Sequence, residues 1–88
     1  MSWEALVGQV VVVDTDSTYV YIGTLKEVDD QFLTLVNVDA HDVREAKSTK
    51  EQYVIDTKRF GVNPNRKEAK VRQAVVVSVS RLSDIVEY

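Results

Sequence analysis

The feature that most constrains this chain is its use of valine, which occurs eighteen times in 88 residues against only five leucines. Valine is branched at Cβ and restricted at χ1, so it packs well on a pleated strand and is a mediocre helix former. A helical bundle or a coiled coil is therefore not expected. The valine runs at residues 10–13 and 75–77 predict strands, and the chain is predicted to be mainly β.

The short length raises the question of what stabilises the fold. A chain of 88 residues forms one domain and buries only about 60–65% of its unfolded surface. The sequence contains no cysteine, so neither a disulfide nor a thiolate-bound metal adds stability. An efficient core or association with other chains must supply the difference. No apolar run is long enough to span a membrane, and residues 1–4 do not begin a signal peptide. We expect a cytoplasmic protein without a membrane partner.

Polar turn residues divide the first part of the chain into a short helix and three strands. Ser2 is a suitable N-cap for the helix. Gly23 lies inside an apolar run, where a glycine marks a bulge or a tight bend. The predicted elements are a helix at residues 3–7 and strands at residues 10–13, 19–28 and 32–38.

The second part of the chain is more polar. Residues 39–70 contain the only proline and predict a long charged hairpin or loop insertion. A structureless loop of this length is unusual, so we expect the flanking strands to extend into the segment and residues 52–57 to form a strand or hairpin arm. Residues 71–80 predict the last strong strand, and residues 85–86 a short edge segment. Five antiparallel strands with one short helix fit a small, strongly bent barrel of the OB-fold or SH3-like type.

Charge is distributed unevenly along the chain. Residues 1–43 hold one basic and eight acidic side chains, whereas residues 44–72 hold nine basic and four acidic ones. The formal net charge of −3 argues against a dedicated nucleic-acid-binding domain. The asymmetry, in contrast, is typical of a surface that faces a polyanion. The alternative is a solvated, lysine-rich loop.

Three stretches carry a resemblance to a known family: LVGQVVV at residues 6–12, GTLKEVDDQFLTL at residues 23–35 and VRQAVVV at residues 71–77. In this order they resemble the Sm/LSm-like family. The first motif of that family reads roughly Leu-x-Gly-x-x-Val-x-Val and then Gly-x-Leu-x-x-hydrophobic-Asp, and its second motif opens with hydrophobic-Arg-Gly. The DQF at residues 30–32 also resembles the bacterial branch, Hfq.

The resemblance implies a fold and an assembly. It makes residues 1–88 a single Sm-like domain, with a short N-terminal helix on a five-stranded, strongly bent antiparallel sheet. It also implies a closed homo-oligomeric ring, in which strand four of one subunit pairs with strand five of the next. A closed ring would also cover the apolar sheet edge that a small monomer would leave exposed.

The resemblance further implies a site for single-stranded RNA at the turns after strands two and four. Asp29 and Arg72 match the Asp and Arg of the family, and Gln31 lies at the base-stacking position. Leu33 replaces the Asn that hydrogen-bonds a base, and Gln73 replaces the Gly. The candidate RNA-binding residues are Asp29, Gln31, Phe32, Arg72 and Gln73. An alternative pairs Arg72 with Asp29 in a structural salt bridge that needs no RNA.

The segment 44–72 contains seven cationic side chains that are candidates for a rim that binds the phosphates of RNA: Lys47, Lys50, Lys58, Arg59, Arg66, Lys67 and Lys70. Tyr53 and Phe60 lie among them, as is typical of single-stranded RNA platforms. In the alternative interpretation these aromatic residues hold the long hairpin and the lysines solvate it.

Signals for catalysis are few. His41 is the only histidine and lies near Asp39 and Asp42, but no second histidine, cysteine or Gly-rich phosphate loop accompanies it. It is interpreted as a surface-loop histidine, and no catalysis, metal or cofactor is expected. Two functions remain. Arg72 and the basic residues of 44–72 favour an RNA-binding or RNA-chaperone type ring, whereas Leu33 and Gln73 favour a structural or protein-interaction scaffold of the same fold.

Overall fold

The computed structural model describes residues 3–45 and 48–87, and within them one five-stranded antiparallel sheet carries one α-helix. The strands and the helix are β1 Val10–Thr15, β2 Tyr19–Val28, β3 Phe32–Asp42, α1 Lys50–Phe60, β4 Arg66–Arg72 and β5 Val76–Arg81. Short 3-10 helices lie at Trp3–Leu6, Val43–Glu45, Gln73–Val75 and Leu82–Asp84. The expectation of a mainly β fold is therefore confirmed.

The strand order is β4-β3-β2-β1-β5, with every neighbouring pair antiparallel. β4 pairs with β3 and β5 pairs with β1, so the sheet is not closed. Within the described residues β4 and β5 are the two edges of the sheet, and each has one side free of strand pairing.

Both faces of the sheet are apolar at β1, because Val11, Val12 and Val13 are each at most 6% exposed. Side chains alternate between faces along a strand, so this run takes part in two clusters. On the face that we call the core face, Val11 and Val13 pack with Leu25, Leu33, Leu35, Val38 and Val71. On the opposite face, which we call the helix face, Val12 packs with Val20, Ile22 and Val54 of α1.

Gly23 lies at an irregularity in the pairing of β2, where the sequence predicts a bulge or a tight bend. The register of β2 against β3 shifts at this glycine, and Asn37 near it on β3 has a positive φ of 52°. A Cβ atom at position 23 would lie 3.0 Å from the carbonyl oxygen of Val36 and 3.1 Å from the Cα of Val38. Backbone atoms leave no room for a side chain, so the close approach of the two strands requires glycine here.

The flanking strands extend into the segment 39–70, as the sequence predicts, but the strand predicted at residues 52–57 is wrong. β3 extends through Asp42, β4 begins at Arg66, and α1 lies between them. The hydroxyl of Thr49 accepts a hydrogen bond of 3.1 Å from the Gln52 N–H, and the N–H of Gly61 closes the last turn. The Thr-x-x-Gln spacing followed by a glycine is a helix-capping pattern that the sequence interpretation missed.

The strand predicted over residues 71–80 is interrupted. β4 ends at Arg72, a 3-10 helix spans Gln73–Val75, and β5 begins at Val76. This short helix carries the chain from the β3 side of the sheet to the β1 side, where the carbonyl of Val75 accepts a hydrogen bond from Asp16 N–H at 2.9 Å. The strand segment predicted at residues 85–86 does not form.

At the N-terminus the predicted helix over residues 3–7 is a 3-10 helix at Trp3–Leu6, and its predicted cap, Ser2, lies outside the described residues. Trp3 and Leu6 pack against the core-face cluster. In the part of the chain that the structure describes, no helix is long and apolar enough to cross a membrane.

Candidate functional site

The turn between β2 and β3 is organised by the carboxylate of Asp29. Its Oδ1 accepts hydrogen bonds from the backbone N–H groups of Gln31, at 2.8 Å, and Phe32, at 2.7 Å. These two contacts hold the pKa of Asp29 below its usual value because they stabilise the charged form, and Lys70 adds a favourable charge. Asp29 is therefore a structural element of the turn, and both of its amide contacts fix the backbone on which Gln31 and Phe32 are presented.

A second turn, between β4 and β5, is joined to the first by Gln73. The backbone N–H of Gln73 donates to the carbonyl of Gln31 at 2.8 Å, and its side-chain amide donates to the carbonyl of Asp29. The two turns are 44 residues apart in sequence, yet these contacts make them one surface. A glycine at position 73, as in the family motif, would lack the side-chain contact.

Arg72 lies over the ring of Phe32. The two residues are register partners on β4 and β3, and the guanidinium carbon is 5.6 Å from the ring centroid. This is a cation–π distance. Across residues 3–45 and 48–87 no carboxylate forms an ion pair with Arg72. The alternative salt bridge with Asp29 is therefore wrong, and Arg72 is an exposed residue.

The structure thus brings the predicted RNA-binding residues Asp29, Gln31, Phe32, Arg72 and Gln73 together at one end of the sheet. Gln31 and Arg72 are exposed, and Phe32 and Gln73 are partly buried. Leu33 is fully buried in the core-face cluster, so position 33 presents no group to this surface. The arrangement offers a planar cation, an amide and an aromatic ring, which are groups suited to stacking and hydrogen bonding with a flat, electron-rich ligand.

The predicted basic rim is divided between two elements. On α1, the ammonium of Lys50 lies 2.6 Å from the carboxylate of Asp14 and also donates to the carbonyls of Thr15 and Ser17. Its charge therefore attaches the first turn of α1 to the turn between β1 and β2.

The C-terminal end of α1 is attached to residues 82–87, which follow β5 and which we call the C-terminal segment. Lys58 donates to the carbonyls of Ser83 and Ile85, and Arg59 forms two contacts of 3.0 Å with the carboxylate of Glu87. The cations of α1 therefore make contacts within the chain. Lys47 lies outside the described residues.

The other members of the predicted rim lie on the edge strand β4. Arg66, Lys67 and Lys70 are all exposed. Lys70 pairs in register with Thr34 and donates to its hydroxyl at 3.2 Å, two residues along the strand from Arg72. The charge of Lys70 also lowers the pKa of Asp29. Lys70 therefore acts on the turn between β2 and β3, and it adds a second positive charge beside Arg72.

His41 is not in a surface loop, and that interpretation is wrong. It lies in β3 on the helix face, where its ring stacks on Tyr53 and its Nε2 atom is buried with no hydrogen-bond partner among the described residues. Asp42 instead pairs with Arg44 at 2.8 Å, which lowers the pKa of that carboxyl. Within residues 3–45 and 48–87 no three His, Cys, Asp or Glu side chains are grouped so as to hold a metal.

Comparison with known proteins finds no related family or curated protein: no protein-family model matches the chain, and no curated protein matches it at a significant level. The fold and the candidate site therefore define a class only by geometry: a mainly β protein with one helix on an antiparallel sheet and a cationic surface at one end.

Proposed function

We propose that this chain is a cytoplasmic, Sm-like, SH3-like small barrel protein that forms a closed homo-oligomeric ring and binds single-stranded RNA without catalysing a reaction. In this proposal residues 1–88 form one Sm-like domain, and α1 is an insertion between β3 and β4. The observation that carries the proposal is the position of Arg72, stacked on Phe32 without an ion-pair partner in the described chain. A guanidinium held in this way is available to a phosphate or a base.

The two edges of the sheet support the assembly part of the proposal. β4 and β5 each have a free side, and free strand edges are sites of pairing with another chain. Because the two edges differ, pairing β4 of one subunit with β5 of the next is a head-to-tail contact, which closes into a ring when the rotation permits. Light scattering that finds a stable monomer at micromolar concentration would contradict this assembly.

The alternative function is a structural or protein-interaction scaffold of the same fold. Two observations favour it: Leu33 is buried where the family reads a base, and Gln73 uses its side-chain amide to join the two turns. In the RNA-binding interpretation, recognition rests on Arg72, Phe32 and Gln31.

Titration of short oligo(U) and oligo(A) against the wild type, Arg72→Ala and Arg66→Ala separates the two functions. Arg66 is the matched control, because it is an exposed arginine on the same strand. We expect Arg72→Ala to raise the Kd about tenfold, in the range for loss of one stacking contact, and Arg66→Ala to change it less. Affinity should fall steeply as salt increases. Absence of wild-type binding at low salt would support the scaffold.

A further inference from the structure

The free edge of β5 is flanked by a cleft on each face of the sheet. On the helix face a cleft of about 480 Å³ lies between β5 and α1, and Ser78 and Ser80 line it. On the other side a cleft of about 430 Å³ is lined by Trp3, Leu6 and Val79. Val77 on the same strand is 65% exposed. An extended strand that paired with β5 would direct alternate side chains into the two clefts.

The cleft on the helix face carries acidic groups. Asp14, Glu51 and Asp84 line it together with one cation, Lys50, which is already paired with Asp14. Among the residues that the structure describes, Asp84 forms one ion pair, a 3.5 Å contact with the exposed Arg81. Glu51 forms no ion pair within the described residues. The occupant with the best charge match is therefore a strand with basic side chains on one side.

The other edge strand of this chain, β4, has that composition. Lys70 and Arg72 pair in register with Thr34 and Phe32 and share one side of the strand, and both are exposed. Alternation puts Ala69 and Val71 on the opposite side, where both pack in the core-face cluster. The side of Lys70 and Arg72 also carries Glu68, which pairs with Lys26 at 3.3 Å. β4 therefore presents the two cations and one neutralised acid on one side, and Ala69 and Val71 on the other.

We propose that the cleft between α1 and β5 binds the basic side of β4 from a second copy of this chain, with Lys70 directed at Glu51 and Asp84. In this pairing, Val71 of one copy lies beside Val79 of the other, so that the apolar core face continues across the contact. Lys70 is on the opposite side of β4 and therefore faces α1. The inference rests on the proposed homo-oligomer and explains which strand β5 accepts as its partner. The acidic side chains of α1 and of the segment after β5 favour an edge strand that carries cations.

Charge reversal on each side of this contact provides the test. One variant is Glu51→Lys with Asp84→Lys, and the other is Lys70→Glu; Glu27→Lys with Glu45→Lys is a matched control at exposed acids that do not line the cleft. We expect each cleft or strand variant alone to weaken assembly at least about tenfold, because like charges then face each other or an attraction is lost. The control should assemble like the wild type.

Mixing the two defective variants gives the decisive measurement, because each then supplies what the other lacks. The reversed cleft of the first variant matches the Glu at position 70 of the second, and the unchanged cleft of the second matches the unchanged β4 of the first. Native mass spectrometry at low salt should find mixed assemblies, and high salt should reduce the difference between matched and mismatched pairs. Circular dichroism confirms that each variant is folded.

The outcomes separate this inference from the proposed function. If the wild type assembles and the reversed variants assemble equally well alone, the cleft does not select β4, although the oligomer stands. If the wild type is a monomer at all concentrations, the inference and the oligomer are both wrong. If the cleft binds only a peptide from another protein, the inference is wrong, and light scattering of the wild type decides the oligomer. Arg72 shares the side of β4 with Lys70, so native mass spectrometry first compares the assembly of Arg72→Ala with that of the wild type. If the two assemble alike, the RNA affinity of Arg72→Ala decides only the RNA part of the proposal.

Discussion

The ring of Tyr53 on α1 lies face to face with the imidazole of His41 on β3, with centroids 3.7 Å apart and planes 4° from parallel. The Tyr53 hydroxyl donates a hydrogen bond to the carboxylate of Asp39, which is only 3% exposed. A buried carboxylate without a donor is costly. Tyr53 therefore attaches the helix to the sheet in two ways, through its ring and through its hydroxyl.

Replacing Tyr53 with phenylalanine tests the second of these contacts. Tyr53→Phe keeps the stacked ring but leaves Asp39 buried without this donor, so we expect the free energy of unfolding to fall by about 1–3 kcal/mol. Urea denaturation measures the change. Tyr21→Phe is the matched control, because Tyr21 stacks on Tyr19 and takes no part in the contact with Asp39. Equal stability of the two variants would contradict a structural role for the Tyr53 hydroxyl.

The same contact predicts how stability changes at high pH. Burial and the hydrogen bond to Asp39 both raise the pKa of Tyr53. A phenol whose pKa is higher in the folded state stabilises the fold below the unfolded pKa of about 10, and that stability is lost as pH rises beyond it. Spectrophotometric titration should find one tyrosine that ionises only as the protein unfolds. In Tyr53→Phe that late step should be absent, and its persistence would assign it to another tyrosine.

The N-terminus of α1 depends on a single side-chain cap. Thr49 accepts a hydrogen bond from the N–H of Gln52 at 3.1 Å, so Thr49→Ala should lower the free energy of unfolding by about 1 kcal/mol. Thr49→Ser keeps the hydroxyl and serves as the control. Chemical denaturation followed by far-ultraviolet circular dichroism measures both. A Thr49→Ala variant as stable as Thr49→Ser would show that the cap contributes nothing.

The helix is also the element that sequence reasoning predicted incorrectly, and the reason is physical. Only Val54 and Thr57 of α1 are buried, so its apolar stripe is too narrow to produce a clear helical period. Much of its attachment comes from Lys50 and Lys58, which contact groups 36 and 27 residues away in sequence. Local capping signals were present at Thr49 and Gly61, but the long-range contacts have no local signature.

Other parts of the fold were predictable because their signals are local. The valine runs indicate the buried β1, Gly23 indicates the irregular pairing of β2, and Asp29 indicates the turn between β2 and β3. The meeting of that turn with Gln73 depends on the register between β3 and β4, which no local pattern encodes; the resemblance to a family was what indicated it. The resemblance did not indicate that Arg72 lies over Phe32.

The close approach of the β3 backbone to Gly23 predicts a large effect for a small substitution. Gly23→Ala would bring Cβ to 3.0 Å from the Val36 carbonyl oxygen, and backbone atoms of a paired strand cannot move without disturbing the sheet. We expect the free energy of unfolding to fall by about 1–3 kcal/mol. Thr24→Ala, at the neighbouring and only partly buried position, is the control. Thermal unfolding compares the variants, and a Gly23→Ala protein of wild-type stability would contradict the close approach.

Asp29 links the candidate site to the behaviour of the protein in acid. The pKa of Asp29 is lowered chiefly by the N–H groups of Gln31 and Phe32, so its contribution to stability is fully present above the unfolded pKa of about 3.9 and is lost as pH falls through the folded value. Asp29→Ala should therefore be less stable than the wild type at neutral pH and lose less on acidification. Asp29→Asn, which retains an acceptor oxygen, should keep the turn at both pH values.

Denaturation midpoints measured from neutral pH down to about pH 2, below the unfolded pKa of a carboxyl, check this expectation. Asp30→Ala is the matched control, because it removes an adjacent exposed carboxylate while leaving both amide contacts of Asp29 in place. If Asp29→Ala and Asp30→Ala follow the same pH profile, the acid sensitivity does not arise at the turn. If only Asp29→Ala departs from the wild type, the carboxylate that organises Gln31 and Phe32 is the group that titrates.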